Sequence, residues 1–391
     1  MTSPAGTQSI RHTSLRYWPR GAFTTAATGT ARWLLAAIPV VLVAVVAGEV
    51  ASRLDDWLFS DTAVLASPDR EFDLVHAEPW GQRGKPHGHY RKWRLNNYGF
   101  QGPDIPLRAE RRVMVLGASE TFGLYEKAGN AYPAVLDRQL ASAARSATGS
   151  AGEPRIEVVN AAIAGMALPS MTTYWEQWAS RFRPQTVVVY PSPLFYLDDQ
   201  LPKSYLGTAI PPPPAFQSRL LQRLVDQAKQ VPLLRRLRAR HVIAGKLVGK
   251  GPGDLFTSEI PRDRLAAFSA DLERLATSIE QRGARPVLVT HAFKTTSPPV
   301  PADHAELEYF RIFFPRVTLD GFAAFEAAAR EAVIALAGRH GWAVIDAAAS
   351  LTGRRELFAD PVHFNDTGSA RMAGIIADRL PDLVAPAGAS R

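Results

Sequence analysis

The chain has 391 residues, 46% of them hydrophobic and 21% charged, which allows a large folded core and excludes a disordered chain. It contains no cysteine, so disulfides, thiolate zinc sites, a lipoprotein attachment thiol and a cysteine nucleophile are all excluded. A formal charge of +8 favours anionic surfaces, whether phospholipid, acidic polysaccharide or nucleic acid.

Residues 1–32 are polar and carry Arg11, Arg16, Arg20 and Arg32, with no acidic residue before Glu49. They read as an unstructured tail. The uncharged run Trp33–Gly48, extended to Ala51, predicts a transmembrane helix over 33–51: at about 1.5 Å per residue it comes close to the ~30 Å hydrocarbon core. Pro39 would bend such a helix without forbidding it. The arginines before the span and Asp55, Asp56 and Asp61 after it predict a cytoplasmic N-terminus and an exported domain, hence a single-pass protein of a bacterial-type inner membrane. A cleaved signal peptide ending at Val46-Ala47-Gly48 is the alternative.

Residues 52–108 read as a loop-rich exported extension. His76, His87 and His89 fit no compact zinc spacing, so they are taken as solvated, and no metal or other cofactor is expected. Within the segment Arg94–Pro106, Phe100 is expected to pack on the sheet edge, with Asn97 as a possible substrate contact.

From residue 109 to 383 the pattern alternates short apolar runs with helical periodicity. Strands are expected at Val113–Leu116, Arg155–Asn160, Thr186–Tyr190, Pro286–Thr290 and Ala343–Asp346. Helices are expected at Tyr132–Ala144, Ser170–Phe182, Arg262–Arg282 and Leu319–Arg339, with Ser170 as a cap and Gly341 as a terminator. This alternation implies an α/β domain with a parallel sheet and right-handed crossovers. An insertion, 198–261, interrupts it with the stiff Pro211–Phe216 stretch and a basic amphipathic helix pair containing Arg235, Arg236, Arg238 and Arg240. That pair is expected to be a helical decoration whose arginines face water, a lid over the site, or a contact for an anionic glycan or lipid surface. Residues 384–391 read as a disordered tail.

Two stretches carry chemistry. The strand before Gly117 ends abruptly and delivers Ser119 to the carboxyl edge of the sheet, where open α/β folds place ligands. Far along the chain, Asp360 and His363 stand three apart in one loop, ahead of a helix whose cap is Asn365 or Asp366. A serine becomes a nucleophile when a neutral imidazole takes its proton and an acceptor holds the other ring nitrogen. Ser119, His363 and Asp360 supply those parts. Glu120 is expected to point away from the serine or to help select substrate. His291, after the fourth strand, reads as a hydrogen-bonded structural histidine, or else as a substrate contact or extra donor; Ser192, after the third, is a further candidate for substrate contact.

These residues resemble the blocks of the SGNH (GDSL-type) hydrolases. Gly117, Ala118, Ser119, Glu120, Thr121, Phe122 and Gly123 stand in the positions of the first block, Gly165 in the second, and Asp360 and His363 in the last. The resemblance spans roughly Arg111 to Leu380. It implies a flavodoxin-like three-layer sandwich with a central parallel five-stranded sheet in the order 2-1-3-4-5, and an oxyanion hole built on the backbone of Ser119 and Gly165. Two positions depart from the pattern: Ala118 replaces the usual aspartate, and no asparagine stands at Pro191, Ser192 or Pro193, where the third block normally supplies an oxyanion donor.

Two functional classes follow. One is a membrane-anchored exported serine esterase or O-acyltransferase, acting on an O-acyl ester of an envelope carbohydrate, plausibly an acetyl ester. The other is a catalytically inactive relative that binds glycan or assists polysaccharide assembly. An ordinary α/β-hydrolase is disfavoured because Thr121 occupies the place where G-x-S-x-G requires glycine. Nucleic acid is not among the expected partners.

Overall fold

The computed structural model describes residues 22–60, 64–65, 74–148, 156–197, 217–296 and 298–380. The tails at 1–21 and 381–391 and the proline run 211–216 lie outside the described residues. The chain divides into two compact units, Met1–Ala66 with Ser218–Arg223, and Ser67–Gln217 with Leu224–Arg391.

In the smaller unit, helix α1 (Ala22–Ser60) runs unbroken through Pro39. Its segment Ala36–Leu58 is long and apolar enough to cross a membrane, with a mean hydropathy of 1.9. Where the apolar run ends, Glu49 accepts hydrogen bonds from Ser218 Oγ at 2.8 Å, Leu220 N at 3.0 Å and Arg219 N at 3.1 Å. One turn later Arg219 and Arg223 pair with Asp55 and Asp56. The start of the insertion's first helix, at 218–223, is therefore capped and charge-paired by α1, a contact that residues about 170 apart give no local signal for.

The larger unit opens with two short hairpins, Val75–Glu78 with Gly81–Gly84 and His89–Tyr90 with Trp93–Arg94. Its frame is strand β1 (Arg111–Gly117), helices α2 (Ser119–Phe122) and α3 (Tyr132–Thr148), strand β2 (Ile156–Asn160), helix α4 (Leu168–Gln177) and strand β3 (Thr186–Tyr190). Then come α5 (Arg219–Gln230), α6 (Pro232–Lys246), α7 (Arg262–Gln281), β4 (Arg285–Val289), α8 (His304–Phe310), α9 (Leu319–His340), β5 (Ala343–Ile345), α10 (Ala347–Leu351) and α11 (Asp366–Ala377). The five strands are parallel, in the order β2-β1-β3-β4-β5. This is the α/β architecture expected from the alternating pattern and the strand order that the family resemblance implied, and α5 and α6 form the expected helix pair in the insertion.

Alternation along the strands divides the core in two, as a sheet covered on both faces requires. Met114, Leu116, Val187, Val189 and Leu288 point to one face, with buried side chains of α4, α7 and α9. Val113, Val115, Val188, Val287 and Val289 point to the other, with side chains of α3 and α11. At ~25 cal/mol per Å² of apolar area, each fully buried Val or Leu contributes about 1.5–3 kcal/mol. Those side chains pack β1 on both faces up to its end at Gly117, two residues before the serine.

Phe100 is buried, its ring 4.8 Å from that of Phe182, and Gln101 N donates to Asn160 O of edge strand β2. The sheet-edge expectation for Phe100 is met. The cap of α4 differs from the sequence reading: the helix starts at Leu168 with proline in its first turn, and Ala167 stands at the cap. Ser170 is a buried member of the helix instead. Proline's fixed φ initiates a helix without any side-chain cap.

Candidate active site

The turn after β1 is shaped by two glycines. A Cβ on Gly117 would lie 2.0 Å from Thr121 Oγ1, so only glycine allows the chain to fold back over itself there. Gly123 closes α2 in the left-handed region, with φ 81°. Between them Thr121 Oγ1 is 3.0 Å from the buried Tyr132 hydroxyl, which fixes the turn against α3. The spacing of Gly117, Ser119, Thr121 and Gly123 is thus a packing requirement as well as a motif.

The distant loop is built just as tightly. Ala359 N donates to His363 O, closing a turn that sets Asp360 beside His363. Asp360 Oδ1 accepts from the backbone N–H groups of Val362 and His363 at 3.0 and 2.9 Å. Asn365 caps α11 by accepting from Gly368 N at 3.0 Å, one of the two cap candidates read from the sequence. Asp366 reaches across to the loop after α2, accepting from Lys127 N and Asn130 Nδ2 at 2.8 and 3.1 Å. That cross-link joins the two ends of the fold at one rim.

There, His363 Nε2 lies 2.8 Å from Ser119 Oγ, and His363 Nδ1 lies 2.7 Å from Asp360 Oδ2. An ionised carboxylate only accepts, so Nδ1 carries the proton and Nε2 is left to receive the serine hydroxyl. Burial works to lower the His363 pKa, but the hydrogen bond and charge of Asp360, with Glu120 and Glu126, leave it above the ordinary histidine value. Asp360 is held below the usual aspartate value: burial opposes this, and the His363 contacts and two backbone N–H groups outweigh it. The half-exposed ring of Tyr125 lies 5.4 Å from that of His363.

Behind the serine stands a second set of titratable groups. Glu120 Oε2 is 3.2 Å from Ser119 Oγ, and its Oε1 is 3.3 Å from His291 Nε2. On the other side, His291 Nδ1 is 2.9 Å from Glu326 Oε2. All three side chains are buried, and the Tyr190 ring stacks on His291 at 5.1 Å. With a carboxylate at each nitrogen, His291 is doubly protonated. Its pKa rises to about 10 against the cost of burial, and Glu120 falls to about 2 although burial opposes it.

Glu120 therefore does not point away from the serine, as the sequence reading expected; the His291 cation draws it inward. His291 is not a free donor at the rim either, because both ring nitrogens are engaged. Asn97 is likewise committed elsewhere: its side chain donates to Ile105 O and accepts from Ile105 N, at 3.0 and 3.1 Å. It closes its own loop. Sequence reading missed the Glu120–His291–Glu326 chain, whose members are 171 and 35 residues apart; a buried-type acidic residue on the alanine- and phenylalanine-rich face of α9 was the available signal.

The other two sequence candidates lie in the turns after β2 and β3. Gly165 adopts φ 79° in the turn after β2. Ser192 is buried just beyond β3, and its hydroxyl has no hydrogen-bond partner among the described residues. A small apolar cavity of about 130 Å³ is lined by Phe122 of α2, Ala162 and Ala164 of the turn before Gly165, and Leu74 and Leu95.

Fold and site together define an α/β protein with a serine, a histidine and an aspartate in hydrogen-bonded series at the carboxyl rim of its sheet. The chain is similar to SGNH (GDSL-type) hydrolases in strand order and in the blocks that carry those residues. Among solved structures it is similar to a lipase/acylhydrolase from Enterococcus faecalis, at 15% identity and TM-score 0.41, covering 71% of this chain and 100% of that one. A catalytic mutant of an acetylxylan esterase from Geobacillus stearothermophilus matches at 12% identity and TM-score 0.41, covering 69% and 94%. A protein named for the G-D-S-L lipolytic family, from Desulfitobacterium hafniense, matches at 13% identity and TM-score 0.38, covering 69% and 99%. No family model and no curated protein matches the chain.

Proposed function

We propose that this chain is a membrane-anchored serine esterase or O-acyltransferase of the SGNH type, acting on an O-acyl ester, acetyl in the first instance, of an envelope carbohydrate. The observation that carries the reading is the 2.8 Å approach of Ser119 Oγ to His363 Nε2, with Asp360 at the opposite nitrogen. Ser119 Oγ attacks the ester carbonyl carbon while His363 takes the hydroxyl proton, and Asp360 stabilises the imidazolium that forms. The carbonyl oxygen becomes an oxyanion received by the N–H groups of Ser119 and Gly165. The imidazolium then gives its proton to the departing sugar oxygen, which leaves an acyl-serine. In the second half, His363 activates water or a sugar hydroxyl, and that oxygen takes the acyl group and regenerates Ser119.

The third-block asparagine is replaced. Loss of one oxyanion donor costs about 2.7–4 kcal/mol, roughly 100- to 1000-fold in rate, and the Ser192 hydroxyl is the candidate substitute. Absence of that asparagine is also what favours the second reading, a glycan-binding protein without turnover.

The arginines of residues 1–32 and the acidic residues after the span support a cytoplasmic N-terminus with the larger unit exported across an inner membrane. Full-length protein in detergent should release p-nitrophenol from p-nitrophenyl acetate and react with a fluorophosphonate probe, and Ser119→Ala should lose both activities. Equal turnover in Ser119→Ala rejects the nucleophile; no turnover and no labelling in either protein leaves the binding reading. A C-terminal alkaline phosphatase fusion should be active, and an inactive fusion reverses the topology.

A further inference from the structure

Helices α6 and α8 form the two walls of a groove of about 630 Å³, a size in the ~300–1,000 Å³ range of ligand sites. Arg235, Arg236 and Arg240 line it from α6, and Glu306, Glu308 and Tyr309 from α8. The acidic groups are already neutralised: Glu306 pairs with Lys294 at 2.7 Å and Glu308 with Arg311 at 3.3 Å. The three arginines have no carboxylate within 4.0 Å among the described residues. Arg235 lies flat over the Tyr309 ring, 3.8 Å from its centroid, while Arg236 and Arg240 are exposed. Four residues apart on one helical face, the last two have Cβ atoms about 5–6 Å apart. The groove is thus a slot with repeated, uncompensated positive charge and an aromatic floor.

Contacts link the slot to the loop that carries Asp360 and His363. Lys294, which holds Glu306, donates its backbone N–H to Pro361 O at 2.9 Å, next to Asp360. Tyr125, whose ring lies against His363, is within the electrostatic reach of both Arg235 and Tyr309.

We propose that the α6–α8 groove is a subsite for the carboxylates of an acidic polysaccharide, so that the ester presented to Ser119 is carried on a uronate-containing chain. The proposal rests on Ser119 being the nucleophile. A repeated pair of guanidinium groups suits an anion that recurs along a polymer, because each planar fork pairs with one carboxylate. A walled slot takes a chain rather than a flat lipid surface. The insertion that looked like a decoration then becomes the substrate-selecting part of the molecule.

The test uses full-length Ser119→Ala in neutral detergent, which binds without turning over, titrated calorimetrically at low salt with oligogalacturonate and with neutral xylo-oligosaccharide of equal length. The expected result is binding of the galacturonate at least tenfold tighter than of the xylan fragment, weakening with added salt. Arg236→Gln with Arg240→Gln should weaken it by about tenfold, and Arg236→Lys with Arg240→Lys should recover only part of the loss, because an ammonium keeps the charge and loses the planar fork. Equal affinity for both sugars, or galacturonate affinity unchanged in the glutamine variant, overturns the proposal. So does arginine-dependent binding of glycerophosphoglycerol without binding of galacturonate, which would identify the groove as a lipid headgroup contact. Failure of the nucleophile itself would register separately, as p-nitrophenyl acetate turnover that survives in Ser119→Ala.

Discussion

Glu120 and His291 are buried together directly behind the serine, with 3.3 Å between Oε1 and Nε2. Neither charge could stay there alone, since an unpaired buried ion costs several kcal/mol. Glu120→Gln leaves the imidazolium with Glu326 as its sole carboxylate and should cost about 3–5 kcal/mol of stability, the usual penalty for breaking a buried pair. Glu326→Gln should cost less. Burial raises the Glu326 pKa despite the His291 charge, and its Oε1 has no hydrogen-bond partner, so its negative charge is the less well supported. Denaturant unfolding of the two variants in the same detergent checks the ranking, and a larger loss for Glu326→Gln would contradict it.

The same pair sets the pH dependence of stability. His291 has a folded pKa of about 10 against an ordinary 6.5, so its contribution is complete below about 6.5 and is lost as pH rises towards 10. Glu120, lowered to about 2 from 4.5, contributes fully above about 4.5 and loses its share as pH falls towards 2. Stability from this pair should therefore plateau between pH 4.5 and 6.5 and decline through pH 9. His291→Gln should be less stable than the parent throughout that plateau, and the gap should narrow on the alkaline side. Melting temperatures measured every half unit from pH 5 to 9 give the comparison; a gap that widens with pH reverses the sign.

Activity follows a different group. His363 acts as a base only when neutral, and Asp360, Glu120 and Glu126 hold its pKa above the ordinary histidine value. The acidic limb of kcat/KM should accordingly lie above pH 6.5. Removing the neighbouring negative charge in Glu120→Gln lowers that pKa and should move the limb to lower pH, measured on folded protein with p-nitrophenyl acetate. Asp360→Asn should cost about 10⁴-fold in kcat, because an amide oxygen and an amide N–H compete to set the imidazole tautomer.

Much of this was legible along the chain, where the determining interactions are local or repeat with the period of an element. Thr186–Tyr190 was read to the residue because a strand covered on both faces needs an uninterrupted apolar run. The Asp360 and His363 turn was legible for the same kind of reason: three residues is the span of one backbone-closed loop. Arg112 was not. It reads as a basic residue flanking β1 and is in fact fully buried inside it, bound to Glu157 at 2.5 Å and to the carbonyls of Pro106, Leu107 and Phe182. Glu157 is its register partner on β2, and only strand pairing reveals that. The Glu120–His291–Glu326 chain was hidden likewise, since three elements must meet before the charges find one another.

Arg112 makes that lesson measurable. Its guanidinium satisfies three backbone carbonyls and one carboxylate, all anchored near the base of β1, so Arg112→Met should cost about 3–5 kcal/mol by leaving those acceptors unpaired. Arg112→Lys should recover little, because one ammonium cannot reproduce the fork that reaches both sides of the strand. Chemical denaturation distinguishes the two; a lysine variant as stable as the parent would reduce the role of Arg112 to charge alone.

The last prediction concerns the missing asparagine. Ser192 follows β3, the strand paired with β1 through Gly117 and Tyr190, so it stands at the same rim as Ser119. The residue is largely buried, and its hydroxyl makes no hydrogen bond among the described residues, which leaves it free to donate to a bound group. If it donates to the oxyanion, Ser192→Ala should lower kcat for p-nitrophenyl acetate by roughly 100- to 1000-fold, or about 2.7–4 kcal/mol, with KM nearly constant, because the contact strengthens as charge develops. Stability should change by less than about 1 kcal/mol, since no existing hydrogen bond is broken. A parallel rise in KM with kcat preserved would instead make Ser192 a ground-state contact and leave the two backbone N–H groups as the whole oxyanion site.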